Sequence, residues 1–387
     1  MDTRRYKARV IAFYLPQFHP IPENDQWWGE GFTEWHNVRN ARPLYPGHYQ
    51  PHEPAELGYY DLRDAAIREA QAALARQYGI EGFCYWHYWF GNGQRLLERP
   101  FNEVLESGKP DFPFCLGWAN ESWTGIWYGA ADRILVEQTY PGEDDYHRHF
   151  YALLPAFQDP RYLKIDDKPI FLIYRPEQIP DIVRFTSLWN SFAVTEGLPG
   201  IAFIAQPKDH PLEGLNYALF EAFTFEPFAR ILDLAEPGRR LRSLRHSLRT
   251  FDVAAFTDEL KLIYRIVRLR LERTSRDSPQ VLPYDKIIPL LLRSLPQDKN
   301  YVPFLIPNWD NTPRCGTRGV VYDHATPELF RIQLEYAVRA LHHRPHQRRI
   351  IFVKSWNEWA EGNYVEPEKR YGRQYLEAIK AVVTDDQ

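Results

Sequence analysis

Ile350-Ile351-Phe352-Val353-Lys354-Ser355-Trp356-Asn357-Glu358-Trp359-Ala360-Glu361-Gly362 passes from an unbroken apolar run into two carboxylates and two indoles. An apolar run without polar alternation is a strand buried on both faces, as in a parallel α/β sheet. Such folds gather their reactive groups beyond the carboxyl ends of the strands, which is where this block stands. Two glutamates three residues apart can face one pocket, and aromatic walls that exclude water can keep one carboxyl protonated while the other stays ionised. Acidic residues also favour a helix start, but that reading leaves Trp356, Trp359 and Asn357 unexplained.

Working outward from this strand, seven more apolar runs bounded by turn residues predict strands at 9–14, 82–86, 114–118, 169–174, 201–206, 218–223 and 302–306, with the last at 350–354. Helical periodicity falls between them at 61–78, 94–107, 144–156, 181–196, 327–342 and 371–383. Eight strands alternating with helices predict an α/β fold, a (β/α)8 TIM barrel forming a single catalytic domain over 1–387. No glycine-rich dinucleotide fingerprint follows an early strand, which argues against a doubly wound sheet. Residues 228–280 break the rhythm with arginines 239, 240, 242, 245, 249, 265, 268, 270 and 273 among helically spaced Leu, Ile and Val. This segment reads as a basic helical insertion after the sixth strand. Its basic face is expected to be solvated; peripheral association with an anionic membrane surface is the sharper alternative.

A net charge of -4 over 387 residues gives no cationic field, so a nucleic-acid partner is not expected. The first residues lack the apolar core of a secretory signal, and no run reaches membrane-spanning length, so a cytoplasmic location is expected. Cys84, Cys115 and Cys315 are odd in number and lack ligand spacing, and read as reduced structural thiols.

Polar-aromatic blocks follow the predicted strands. The loop after the first carries Trp27-Trp28-Gly29-Glu30-Gly31-Phe32-Thr33-Glu34-Trp35-His36-Asn37; the second strand runs into Tyr85-Trp86-His87-Tyr88-Trp89-Phe90, the third into Trp118-Ala119-Asn120-Glu121-Ser122-Trp123, and the seventh into Asn308-Trp309-Asp310-Asn311-Thr312-Pro313-Arg314. Aromatic faces with polar groups between them suit the C–H faces and hydroxyl rims of sugars. Each residue alone has a structural reading, His87 as a core histidine and Asp310 with Arg314 as an ion pair; their convergence on one strand-end face favours a binding pocket. His19, His87 and Asp310 share no local ligand spacing, so neither a metal nor another cofactor is expected. A Gly-x-Ser-x-Gly elbow is also missing. Paired carboxylates beside aromatic walls fit glycoside hydrolysis, one protonating the departing oxygen and the other acting as base or nucleophile.

The blocks FYLPQFHP (13–20), GFTEW (31–35), HYWF (87–90), WANESW (118–123), NWDNTPR (308–314) and SWNEWAEG (355–362) resemble the WbsX-like family of bacterial polysaccharide gene clusters, which is similar to glycoside hydrolase family 99. The resemblance covers nearly the whole chain outside 228–280 and implies a (β/α)8 barrel. It implies a retaining, endo-α-mannosidase-like hydrolase in which Glu358 deprotonates the substrate's 2-hydroxyl, giving a 1,2-anhydro sugar, and Glu361 is general acid and then base. Family 99 has Asn-Glu-Trp-His-Glu-Gly and a further Glu; this chain has Asn357 to Gly362 and then Glu366, with Ala360 in place of the His.

The expected activity is hydrolysis within an oligosaccharide or polysaccharide, with Glu358 and Glu361 catalytic. Expected at the substrate are Glu34, Trp35, Tyr85, His87, Tyr88, Trp118, Asn120, Glu121, Trp123, Trp309, Asp310, Asn311, Arg314, Trp356, Asn357 and Glu366. A glycosyltransferase of surface-polysaccharide (O-antigen or capsule) assembly is the alternative, although Asp144-Asp145 and Asp166-Asp167 read as helix-start or turn charges and not as a nucleotide-sugar site. A glycan-binding protein without turnover is the second alternative.

Overall fold

A computed structural model describes residues 6–125, 130–208, 214–226, 278–296 and 298–384. Eight parallel strands, β1 Arg9–Tyr14, β2 Ile80–Trp89, β3 Phe114–Trp118, β4 Lys168–Ile173, β5 Ala202–Ala205, β6 Ala222–Phe223, β7 Phe304–Leu305 and β8 Ile350–Val353, form one curled sheet. Their order is β6-β5-β4-β3-β2-β1-β8-β7. The junction between β8 and β1 is in register from Arg9 opposite Ile350 to Ala12 opposite Val353. At the sheet's edges, Phe223 bridges Tyr301 just ahead of β7, with its N–H donating to Asn300 O at 3.0 Å and its carbonyl accepting from Val302 N at 2.8 Å. The result is a TIM-like arrangement.

Three of the longer helices are started by side-chain caps. Asp64 accepts from Ala66 N ahead of Ala65–Gln77, Asp181 from Arg184 N ahead of Ile182–Thr195, and Thr326 from Leu329 N ahead of Pro327–Leu341. Inside the sheet, Phe13 of β1 stacks on Trp86 of β2 at 4.7 Å and packs on Phe352 of β8 at 5.2 Å and Phe304 of β7 at 5.4 Å. Aromatic pairs of this kind add about 0.5–1.5 kcal/mol each beyond the area they bury. Gly117 of β3 makes room for this floor: a Cβ there would lie 3.2 Å from the Trp86 ring.

The observed strands fall at the predicted places, with the second longer, at Ile80–Trp89, and the fifth, sixth and seventh shorter. The sixth is confined to Ala222–Phe223, because Tyr217–Leu219 winds into a 3-10 turn capped by the Asn216 side chain on Ala218 N. The predicted loop after β1 contains two helices, Pro22–Trp28 and Glu34–Asn40; the second is started by a capping box in which Thr33 N donates to His36 Nδ1 at 3.2 Å. A hairpin of Trp123–Gly125 with Ala130–Val136 and a parallel pair of Gln280–Pro283 with Val320–Asp323 also lie outside the predicted set. The arginines of the predicted basic insertion lie outside the described residues, and the three cysteines are unpaired. Among the described residues no helix is long and apolar enough to cross a membrane.

Candidate active site

The last strand ends in a tight turn built by two side chains. Asn357 Oδ1 accepts from Leu15 N at 2.8 Å and its Nδ2 donates to Leu15 O at 3.0 Å, so its amide continues the β1–β8 pairing past the end of the sheet. Ser355 Oγ accepts from Glu358 N at 2.8 Å and donates to Asn363 O at 2.7 Å. Asn357 and Glu358 then pair antiparallel with Tyr364 and Asn363, and Trp359–Glu361 forms a 3-10 turn between them. The glutamates therefore stand at the two ends of one turn. Gly362 closes it with φ 66°, and a Cβ there would lie 2.7 Å from Asp310 N. Only glycine serves at that contact.

Buried polar groups hold the turn from behind. The Glu366 carboxylate accepts from Trp359 Nε1 at 2.7 Å, Tyr60 OH at 2.9 Å and Gln71 Nε2 at 2.7 Å. Burial pushes Glu366 up to about 7, with these donors opposing the rise. Trp359 also stacks on Tyr364 with centroids 3.7 Å apart. Asp310 N donates to Glu361 O at 2.7 Å, while the Asp310 carboxylate points away, accepting from Gln50 Nε2 at 2.7 Å and Thr312 Oγ1 at 2.6 Å and meeting His48 Nε2 at 2.7 Å.

In front of the turn, the Arg314 guanidinium holds three carboxylates: Glu34 at 3.1 Å through Nε, and Glu361 at 2.6 Å and Glu358 at 3.5 Å through Nη1. Lys354 Nζ lies 3.5 Å from Glu361 Oε2 and 3.8 Å from Glu226 Oε1, over the Trp309 ring at 4.8 Å. These contacts divide the pair. Burial raises the Glu358 carboxyl, and the adjacent Glu361 charge raises it further. Burial opposes ionisation of Glu361 too, but Lys354 and Arg314 outweigh it and hold that carboxyl below its ordinary range. The surroundings thus favour the charge on Glu361 and oppose a second charge on Glu358. Glu358 and Glu361 also share a hydrogen bond between their carboxyl groups.

A cleft of about 320 Å³ opens over the pair. Of the residues expected at the substrate, Glu34, Tyr88, Glu121, Trp123 and Arg314 line it with Glu358 and Glu361. The others lie elsewhere, for reasons of strand geometry. Side chains alternate along β2, so Trp86 and Tyr88 face the cleft while Tyr85 packs on Tyr14 and Phe101, and His87 Nε2 meets His149 Nε2 at 2.8 Å on the helix side. Trp118 packs on His149 and Phe185. Asn120 ties Tyr140 OH and the Arg175 backbone, Asn311 Oδ1 accepts from Val320 N, Trp35 Nε1 donates to Tyr60 O and Trp356 packs on Phe83. Asn357, Glu366, Trp309 and Asp310 support the turn and its cation, as described. His19 bonds Pro16 O, apart from both His87 and Asp310.

The cleft also takes Gln17, Asn24, Trp27, Trp28, Asn37, Trp86, Tyr174 and Lys354, none of them among the residues expected. For Trp86 the signal was available, since Tyr88 two positions on shares its face. Trp27, Trp28 and Asn37 lie in the block quoted above, and Lys354 directly follows the last strand. Asn24 carried no signal.

The TIM-like sheet thus gathers paired carboxylates and indoles at its strand ends. Residues 10–379 match the family model described as glycosyltransferase WbsX, and the chain belongs to that family. It is 35% identical over 384 residues to the protein WxcX of Xanthomonas campestris pv. campestris strain B100, covering 97% of this chain and 50% of that protein, so the chain spans half the length of this relative. Among solved structures it resembles the GH99 endo-alpha-mannosidase from Bacteroides thetaiotaomicron, with TM-score 0.55 and 14% identity over 96% of both chains. A glycoside hydrolase-like protein gives TM-score 0.55 and 15% identity over 99% of this chain and 95% of the other. These two likenesses are of fold.

Proposed function

We propose that the chain cleaves a glycosidic bond within an oligosaccharide or polysaccharide with retention of configuration, in the manner of an endo-α-mannosidase. The observation that carries this reading is the carboxyl pair: Glu361 clamped by Arg314 and Lys354, which favour its charge, and Glu358 beside it, raised by burial and by that charge, both facing an indole-walled cleft. Environments that push two carboxyls apart in this way assign an acid and a base. Both carboxyls also contact one nitrogen of Arg314, at 2.6 and 3.5 Å, which keeps them closer than the roughly 6.5–9.5 Å that an inverting pair needs for its water.

In the mechanism this arrangement supports, Glu358 gives its proton to the departing oxygen while Glu361 takes the proton of the sugar 2-hydroxyl, whose oxygen closes on the anomeric carbon. Glu358, now ionised, takes a proton from the incoming water, whose oxygen bonds the anomeric carbon as the C1–O2 bond opens and Glu361 returns its proton to the 2-oxygen. The division of labour is the reverse of the one implied by the family resemblance, because the two cations of this cleft lie against Glu361. Glu358→Gln and Glu361→Gln should each abolish release of sugar from the glycan while leaving binding largely intact. Full activity in either variant would remove that residue from the chemistry.

Transfer from a nucleotide sugar is the second reading, favoured by the description of the family. Against it, Arg314 and Lys354 already engage four carboxylates between them, so their charge is spent before a diphosphate arrives. Asp145 accepts from Trp89 Nε1 and Asp166 pairs with Arg348, so neither acidic pair supplies a metal-diphosphate site in the cleft. Incubation with polysaccharide, with and without sugar nucleotides, and mass analysis of products separates the readings: a hydrolase needs only glycan and water.

A further inference from the structure

Asn24 is the most unusual polar residue of the cleft. It is 1% exposed, it lines the cleft, and among the described residues neither Oδ1 nor Nδ2 has a hydrogen-bond partner. A buried primary amide with both ends unused is costly, and buried amides are normally satisfied. Its neighbours in the cleft wall are half-buried indoles: Trp27 and Trp28 from the same short helix, and Trp123 from the hairpin, whose ring meets Trp27 edge-on at 6.1 Å.

A primary amide offers one acceptor and two donors side by side, and two adjacent hydroxyls of a sugar each offer a donor and an acceptor. Indole faces suit the C–H face of the same ring. We propose that Asn24, Trp27, Trp28 and Trp123 form a subsite for an acceptor sugar, held by a vicinal diol, and that the enzyme passes its glycosyl unit to a sugar hydroxyl in preference to water. This rests on the cleavage reading above and extends it to transglycosylation. It also reconciles a cleft whose cations are already engaged with a family described as glycosyltransferases, because the donor is then a glycoside and no diphosphate has to be held.

The steps balance without a further reactant. The donor's C1–O bond breaks as Glu358 protonates the leaving oxygen, and the 2-oxygen bonds C1 after giving its proton to Glu361. The acceptor oxygen then bonds C1, its proton passes to Glu358, the C1–O2 bond opens, and Glu361 returns the proton to the 2-oxygen. One glycosidic bond is exchanged for another.

The test supplies a panel of α-hexosyl fluorides as donors and methyl α-hexosides as acceptors, with disaccharide and free sugar measured by mass spectrometry. Wild type should form disaccharide that saturates with acceptor. Asn24→Ala should lower the ratio of transfer to hydrolysis at least about ten-fold, with a melting temperature equal to or above wild type, since an unsatisfied amide has been removed. An unchanged ratio, or free sugar alone at every acceptor concentration, overturns the proposal while leaving the cleavage reading intact. If no fluoride is turned over, the cleavage reading is left to the polysaccharide incubation above, and the subsite is judged by binding: tryptophan fluorescence changed by methyl hexosides in wild type and not in Asn24→Ala supports it, and equal responses, or none in wild type, overturn it.

Discussion

Replacing Lys354 with methionine removes the ammonium from beside Glu361 while keeping most of the side-chain volume. With Nζ 3.5 Å from Oε2, a unit charge pair at an effective dielectric of about 20 interacts by about 5 kcal/mol, equivalent to roughly three pKa units. Arg314 remains at 2.6 Å and the cleft relaxes, so a rise of about one to two units in the Glu361 pKa is expected. The sign follows from the roles. Glu361 works as a carboxylate, so kcat/KM climbs as pH passes its depressed pKa, and raising that pKa moves the acidic limb to higher pH. Glu358 works as an acid, and the loss of the same nearby cation raises its pKa too, so the alkaline limb also moves upward. The pH profile of kcat/KM for Lys354→Met should thus shift as a whole toward alkaline pH, a change that a packing defect does not produce. Thermal unfolding run alongside reports the cost of leaving Glu226 and Glu361 without their shared cation. Reduced activity with both limbs unmoved, or an acidic limb displaced downward, would refute the electrostatic role given to Lys354.

The remaining predictions concern the pair and its supports. With Glu358→Gln, loss of about 10²–10⁴-fold on a poor leaving group should shrink sharply on a dinitrophenyl glycoside, which needs no protonation, whereas Glu361→Gln should stay inactive on both; the opposite pattern would restore the roles implied by the family resemblance. Glu366 has a folded-state pKa of about 7, above that of an unfolded carboxyl, so the stability tied to its protonation is present at low pH and lost as pH rises from about 4 toward 8, a swing of order 3 kcal/mol. The stability deficit of Glu366→Gln relative to wild type should therefore shrink over that range in denaturant titrations, and a constant gap would contradict the raised pKa. Gly362→Ala places a Cβ 2.7 Å from Asp310 N at positive φ and should cost at least about 1–2 kcal/mol of stability, with kcat reduced more than KM is changed.

The sheet was legible because its strands are unbroken apolar runs, and burial on both faces is what a parallel strand requires. β1 and β3 coincide with their predicted limits, as RVIAFY and FCLGW leave no other reading. The short helices Pro22–Trp28 and Glu34–Asn40 were not legible. Each has seven residues, and the second is started by a Thr33–His36 capping box, a pairing that ordinary start signals of the Ser/Thr-to-Glu kind do not include. Missing those helices meant missing Asn24, the residue the cleft leaves without a partner. The errors on β2 are of another kind: Tyr85 and His87 were grouped with Tyr88 by proximity in sequence, although a strand sends alternate side chains to opposite faces, and Trp86 was the residue to group with it.

The two glutamates were legible as residues but not as an acid and a base, and the reason lies at position 360. The motif of glycoside hydrolase family 99 carries histidine between the glutamates, where this chain has Ala360, fully buried. The cationic character beside Glu361 instead comes from two other places: Lys354, at the end of the strand that leads into the turn, and Arg314, from the segment after β7. Because both cations favour the second glutamate, they lower the Glu361 carboxyl, and its charge together with burial raises Glu358. A motif names the pair of groups that can exchange a proton. The positions of the charges around them decide which one holds it, so chains that share the glutamates and differ at 354 and 360 are expected to differ in their pH profiles before they differ in their folds.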